Sequence, residues 1–124
     1  MTKRILVVED QEDLRGVLRD LFTRSGYIVI EATDGATGVA SAKSDRPDII
    51  LMDIQMPVID GYEATRRIKS DPTLAQIPVV AVSSFAMKGD EEKARAAGCD
   101  QYVTKPYSPM QLLRMVRGYL GDKA

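Results

Sequence analysis

The 124-residue sequence contains no histidine. That absence excludes serine–histidine and cysteine–histidine catalysis, imidazole-ligated metals and histidine phosphocarriers from anything the chain does alone. Cys99 is the only cysteine, so an internal disulfide and a thiolate cluster for zinc are both ruled out, and a reduced, cytoplasmic setting is expected. A charge excess of one sign is missing too. Lysine and arginine number 17 against 18 acids, which offers no footprint for nucleic acid or an anionic membrane. Long apolar runs are absent: Ile5-Leu6-Val7-Val8 stops at Glu9-Asp10, short of the roughly 7–15 residues of a signal peptide. Nothing later approaches the ~18 apolar residues of a membrane span. What is present, 44% hydrophobic and 28% charged residues, is the composition of a folded globule rather than a disordered chain. Repeats and low-complexity segments are lacking. Met1 at the start and the short end Gly121–Ala124 lead us to expect one stand-alone domain, residues 1–124.

Four short apolar runs read as strands buried on both faces, because they are continuous and do not alternate. They are Ile5–Val8 (β1), Tyr27–Ile30 (β2), Ile49–Met52 (β3) and Val79–Val82 (β4), with Tyr102–Thr104 a weaker fifth (β5). Helical patterns fall between them. Leu14, Val17, Leu18, Leu21 and Phe22 mark one face of the first helix, α1, and Ala36, Val39 and Ala40 a second, α2, whose small residues suit close packing on a sheet. Asp60-Gly61-Tyr62-Glu63 resembles a capping box opening α3, which Ala64 and Ile68 continue and Asp71-Pro72 follows. The α4 segment, Asp90 to Ala97, stops at Gly98. Ser108-Pro109 opens α5, with Leu113, Val116 and Leu120 as its buried stripe and Leu112, Met115 and Tyr119 off it. Alternation at this spacing predicts a flavodoxin-like (βα)5 fold. Its parallel sheet has the order 2-1-3-4-5, with helices on both faces and a ligand crevice at the carboxyl ends of β1 and β3.

Those strand ends carry the chemistry. β1 runs out into Glu9-Asp10 and β3 into Asp53. Three converging carboxylates repel unless their charge is offset, and a hard divalent cation such as Mg2+ offsets it with oxygen ligands. A single acid after a strand would ordinarily just cap the next helix; three at neighbouring switch-point strands make that reading the weaker one. β4 ends in Ser83-Ser84 and β5 in Lys105-Pro106. A hydroxyl and an ammonium on the same rim complete a site for a phosphoryl group.

Together, Glu9-Asp10, Asp53 with Ile54-Gln55-Met56-Pro57 and Asp60-Gly61, Ser83, and Lys105-Pro106 resemble the receiver domain of two-component response regulators, the CheY-like family. The stretches Pro78–Asp90 and Gly98-Cys99-Asp100 are most similar to DivK-type single-domain regulators and to receivers of hybrid kinases. The resemblance implies that Asp53 is the phosphoacceptor, and that Glu9, Asp10, Asp53 and the backbone carbonyl of Gln55 hold Mg2+. It implies that Lys105 pairs with the acceptor and then with the phosphoryl oxygens. Ser83 would donate to the phosphoryl and Tyr102 would follow that movement. Gln55, Ser84 and Phe85 would tune the phosphoryl lifetime, and the bond before Pro106 would be cis. Serine stands at position 83 where threonine is commoner in the family; lacking the methyl, its rotamer is less restricted, and a looser coupling is expected.

The implied donor is a sensor histidine kinase or a histidine phosphotransfer protein, since this chain has no histidine of its own. The implied output is a downstream protein bound at the α4-β5-α5 face, by a monomer or a phosphorylation-dependent dimer acting as a signalling domain rather than a turnover enzyme. Arg114 and Arg117 are candidates to meet acidic partner residues there. Alternatives are a phosphate-shuttling receiver of a multistep relay or a receiver excised from a hybrid kinase. A Mg2+-dependent phosphohydrolase with an aspartate nucleophile would want a second acid, which Asp53-Ile54-Gln55 lacks. A nucleotide or flavin binder would want a glycine-rich loop where Glu9-Asp10-Gln11-Glu12-Asp13 stands.

Overall fold

Continuous apolar runs separated by amphipathic segments can pair only in parallel, each helix carrying the chain back across the sheet. The computed structural model describes residues 2–56, 58–84 and 89–121. In chain order its elements are β1 (Arg4–Val8), α1 (Glu12–Arg24), β2 (Ile28–Ala32), α2 (Gly35–Asp45), β3 (Ile49–Asp53), α3 (Gly61–Ser70), β4 (Val79–Ser83), α4 (Asp90–Ala97), β5 (Gln101–Thr104) and α5 (Pro109–Leu120). The sheet order is β2-β1-β3-β4-β5, every ladder parallel. β1 and β3 are therefore neighbours, and the sheet reverses direction of growth between them.

Successive side chains of the central strands enter two separate cores. Leu6, Val8, Ile50, Met52, Val79 and Ala81 pack with Ala64, Ile68 and Leu74 on one face. Ile5, Val7, Ile49, Leu51 and Val80 pack with Leu18, Phe22, Leu112 and Val116 on the other. Each fully buried valine, leucine, isoleucine, methionine or phenylalanine among them contributes about 1.5–3 kcal/mol. Double-sided burial is what makes these strands read as unbroken apolar runs.

β2 departs from that pattern. It begins at Ile28 rather than Tyr27, and as an edge strand with one neighbour it leaves Ile28 47% exposed. In α1 only Leu18 and Phe22 are fully buried; Val17 is 50% exposed and Leu14 half-buried. The first turn of α1 overhangs the segment after β5, where Leu14 and Val17 line a cavity of about 280 Å3 with Lys105, Pro106, Tyr107 and Pro109. In α2 the expected Val39 is buried, but Ala36 and Ala40 face solvent, and Gly35, Gly38 and Ala42 complete the buried face. Small residues do bring α2 close to the sheet, but glycine supplies them: a Cβ on Gly38 would lie 2.9 Å from Val8 Cγ2.

Helix ends follow side-chain chemistry. The Asp60 carboxylate accepts from the Glu63 N–H at 2.9 Å, but Glu63 turns to Arg67 at 3.0 Å, so the expected box is half made. The complete box forms at Asp34 and Thr37. Ser108 Oγ accepts from the Gln111 N–H, with Pro109 in the first turn. On α5, Leu113 and Val116 are buried and Leu120 half-buried, as expected. Leu112 is buried too, Met115 is half-buried, and Tyr119 alone of the three off-stripe residues is exposed.

One contact sets the distance between α3 and the strand end that carries Asp53. A Cβ on Gly61 would lie 2.7 Å from Ile54 Cα and would also collide with the Asp53 carbonyl oxygen. Gly61→Ala should therefore lower stability by about 1–3 kcal/mol through overpacking against backbone. Val58 is the opposite case: it is β-branched, 83% exposed and held at a φ of 74°. Val58→Gly should raise stability by about 1 kcal/mol, because the left-handed conformation costs an L-residue about 1–2 kcal/mol and no packing is lost. Urea midpoints moving in opposite directions for the two variants are the expected outcome.

Candidate functional site

Glu9 continues β1 by one residue: its N–H donates to the Ala32 carbonyl at 3.0 Å, which draws the residue down to 3% exposure. Its carboxylate accepts from the Gln11 N–H at 3.1 Å. Its carbonyl accepts from Arg15 Nη1 at 3.0 Å, while Arg15 Nε is held by Glu31 at 3.1 Å. Asp10, next along, is exposed. Asp53 closes β3 opposite Val82 and is also 3% exposed. The Gln55 N–H donates to Asp53 Oδ1 at 3.3 Å. Lys105 is aligned by its N–H, which donates to the Ser83 carbonyl at 2.7 Å, and the Lys105–Pro106 peptide is cis. Lys105 Nζ lies 3.0 Å from Glu9 Oε1 and 3.6 Å from Asp53 Oδ2.

Oxygens of Glu9, Asp10 and Asp53 all lie within 4.8 Å of one another. Burial, then hydrogen bonding to Glu9 and the negative charge of Glu9, push the Asp53 carboxyl up to about 7, against the pull of Lys105 and the Gln55 N–H. Burial also pushes Glu9 upward, but hydrogen bonds from Asp53, the Gln11 N–H and Lys105 outweigh it and hold Glu9 below the ordinary carboxylate range. The pair therefore keeps one proton on the Asp53 side. The donor set is all oxygen and carries more negative charge than one lysine offsets. It fits a hard divalent cation such as Mg2+, and without thiolate or imidazole it does not suit a softer metal.

The other expected residues lie around this cluster. Ser83 ends β4 fully buried, and its Oγ accepts from Gln55 Nε2 at 2.8 Å. Ser84 is exposed, and its N–H donates to Gln55 Oε1 at 2.8 Å. Tyr102 stands apart on β5, paired with Ala81 and half-buried against the first core. Phe85 lies outside the described residues. Two residues near the site escaped the sequence reading. Arg15 looks in sequence like any surface charge of a helix, and nothing signals its grip on Glu9. Tyr107 packs its ring into the second core, and its buried hydroxyl has no hydrogen-bond partner among the described residues. Burial, then the charges of Glu9 and Asp53, push that hydroxyl up to about 12.

Stability should report the shared proton. Asp53 holds its proton to about pH 7 in the folded chain, whereas an unfolded aspartate releases it near 3.9. Between these values the folded state binds more protons, so the Asp53 contribution falls as pH rises from about 4 to 7. The depressed Glu9 acts in the opposite sense, its contribution being lost only as pH falls below the ordinary range, outside that window. Asp53→Asn should abolish the fall between pH 5 and 8 and leave the variant about 1–3 kcal/mol more stable at pH 8. Urea unfolding at both pH values checks this; a variant that is equally stable, or less stable, at pH 8 refutes it.

Comparison with known proteins agrees with this geometry. Residues 5–117 match the response regulator receiver domain. The chain is 45% identical over 122 residues to the polar-differentiation response regulator DivK of Brucella ovis, covering 98% of this chain and 99% of that one. Among solved structures it is similar to the receiver domain of a sensor histidine kinase from Pseudomonas aeruginosa PAO1, with a magnesium ion coordinated in the active-site cleft of that protein. The TM-score is 0.89 at 35% identity, covering 98% of this chain and 100% of that one. The receiver domain of a histidine kinase from Syntrophus aciditrophicus gives a TM-score of 0.90 at 30% identity, covering 97% and 91%. With Glu9, Asp10, Asp53, Ser83 and Lys105 on one rim of the sheet, the chain belongs to the response-regulator receiver family, whose members act in two-component signalling.

Proposed function

We propose that residues 1–124 form a single-domain, cytoplasmic response regulator that accepts a phosphoryl group on Asp53 from a phosphohistidine of a partner protein. The observation that carries this reading is the buried Asp53 carboxyl, set between Glu9 and Lys105 within the three-carboxylate cluster. Asp53 first releases its proton to solvent water. One carboxylate oxygen then attacks phosphorus in line; the new P–O bond forms as the P–N bond breaks, and the imidazole departs with the electron pair. Glu9, Asp10, Asp53 and the Gln55 carbonyl hold Mg2+, which when bound neutralises charge on the phosphoryl oxygens. Lys105 swings from the carboxylates toward those oxygens, and Ser83 donates its hydroxyl hydrogen to one of them. Gln55 and Ser84 border the path of the water that later hydrolyses the acyl phosphate.

Phosphorylation places roughly two negative charges beside a lysine and a hydroxyl that can follow them. Drawing Ser83 inward moves the start of the β4–α4 segment and alters the α4-β5-α5 face, with Tyr102 at its centre and Tyr119 exposed on α5. A downstream protein, or a second copy of the chain, reads that face; Arg114 and Arg117 offer charge for acidic partner residues. The donor is a sensor histidine kinase or a histidine phosphotransfer protein. The likeness to receivers of histidine kinases at 30–35% identity supports a second reading, a shuttle within a multistep relay. In either role the chain is a signalling domain rather than a turnover enzyme.

Incubation with acetyl phosphate and Mg2+ should add one phosphoryl group, seen by intact mass, labile to base and absent in Asp53→Asn. No gain in the wild type, or the same gain in the variant, refutes the assignment. Lys105→Ala should leave Mg2+ affinity equal or higher, because a competing cation is removed, while the phosphorylation-linked shift at Tyr102 is lost. A collapse of Mg2+ affinity would instead make Lys105 part of the metal site.

A further inference from the structure

We infer that the Gln55 side-chain amide is a positioning residue: it sets the rotamer of Ser83, doing by hydrogen bonding what the extra methyl of a threonine would do by sterics. This rests on the phosphoacceptor reading of Asp53 and deepens it. The geometry leaves little choice of orientation for the amide. The Ser84 N–H can only donate, so the amide oxygen must face it, at 2.8 Å. The amide nitrogen then faces Ser83 Oγ, also at 2.8 Å, and the serine oxygen accepts. A hydroxyl accepts and donates at once, so accepting from Gln55 anchors the Ser83 oxygen and is compatible with a bond donated by its hydrogen.

The loop that carries the amide is itself fixed to the acceptor by the Gln55 N–H on Asp53 Oδ1 at 3.3 Å. One residue thus ties the acceptor carboxylate, the serine hydroxyl and the Ser84 backbone into a single frame across two strand ends. Serine alone has three accessible rotamers, whereas a β-branched residue is restricted by its own second substituent. The looser coupling expected from serine at position 83 is therefore compensated by a side chain 28 residues away. Two functions are separable here: Nε2 orients Ser83, and Oε1 restrains Ser84.

The test uses the full chain as wild type, Gln55→Met, Gln55→Ala, Ser83→Thr and each Gln55 variant combined with Ser83→Thr. Side-chain couplings of residue 83 by NMR report its rotamer without any phosphoryl group, and hydrogen exchange reports the Ser84 amide. Beryllofluoride, added at saturating Mg2+, probes the phosphoryl site. Either Gln55 variant should average the Ser83 rotamer, speed Ser84 exchange and raise the half-saturating beryllofluoride concentration about five- to tenfold, the worth of one hydrogen bond. Adding Ser83→Thr should bring half-saturation back to within twofold of wild type while Ser84 exchange stays fast. That split separates orientation from mere bracing of the loop. A double variant as weak as the single one, or a single Ser83 rotamer in the Gln55 variants, overturns the inference. A wild type that ignores beryllofluoride while the rotamers behave as expected overturns the phosphoacceptor reading and leaves the orienting role of Gln55 standing.

Discussion

The repulsion among three carboxylates at the end of two neighbouring parallel strands is the constraint on which the rest of the site depends. Glu9 and Asp53 are both 3% exposed, and the burial of two acids side by side is tolerable only if one proton or one cation comes with them. Lys105 answers part of that need. It sits closer to Glu9 than to Asp53, at 3.0 Å against 3.6 Å, so the better-neutralised acid is Glu9 and the proton stays with Asp53. Asymmetry of this kind separates two chemically identical groups by environment alone. It leaves the carboxyl at the end of β3 as the group whose state changes near neutral pH.

Holding that arrangement falls to the backbone more than to the carboxylates themselves. The parallel register sets Asp53 opposite Val82 and Ser83 opposite Thr104, so one rim carries the carboxylate, the hydroxyl and the lysine within three adjacent strands. The bare backbone of Gly61 lets α3 begin against the Asp53 carbonyl, and Arg15 clamps the Glu9 carbonyl from α1. Two close-packed apolar cores, one on each face of the sheet, hold the strands that deliver these ends.

Much of this was legible before any coordinate. Central strands buried on both faces leave continuous apolar runs, and a run that ends in acids fixes where β1 and β3 deliver Glu9, Asp10 and Asp53. Ser108-Pro109 and the glycine after α4 marked helix ends because caps are local chemistry. The helix faces were less legible. Val17 and Ala36 fit a periodic pattern, yet periodicity cannot tell which part of a wide apolar stripe the sheet covers, nor that glycines give α2 its closest approach. Least legible were contacts between side chains and distant loops. Arg15 with Glu9, Gln55 with Ser83 and the buried hydroxyl of Tyr107 depend on three-dimensional closeness that no spacing rule encodes. The sequence marks Gln55 as a backbone ligand and a rate-tuning neighbour of Asp53, whereas the bridge its amide makes between two strand ends depends on the fold.

Charge, taken together with the missing histidine, fixes how the proposed chemistry must be divided between molecules. With its proton in place the cluster has two negative carboxylates, one neutral carboxyl and one ammonium. Exchanging that proton for a divalent cation brings the same groups to formal neutrality, which is the state in which an anionic phosphoryl group can approach without net repulsion. The nucleophile and the groups that offset charge all lie within this one chain, whereas a nitrogen leaving group of suitable basicity does not. In the proposed reaction the donor imidazole belongs to another protein or to a domain outside these 124 residues, and it approaches over a rim where Glu12 and Asp13 add further negative charge. A partner that presents its phosphohistidine beside basic residues would complement that rim, and electrostatic complementarity of this kind governs encounter rate and partner choice more than final affinity.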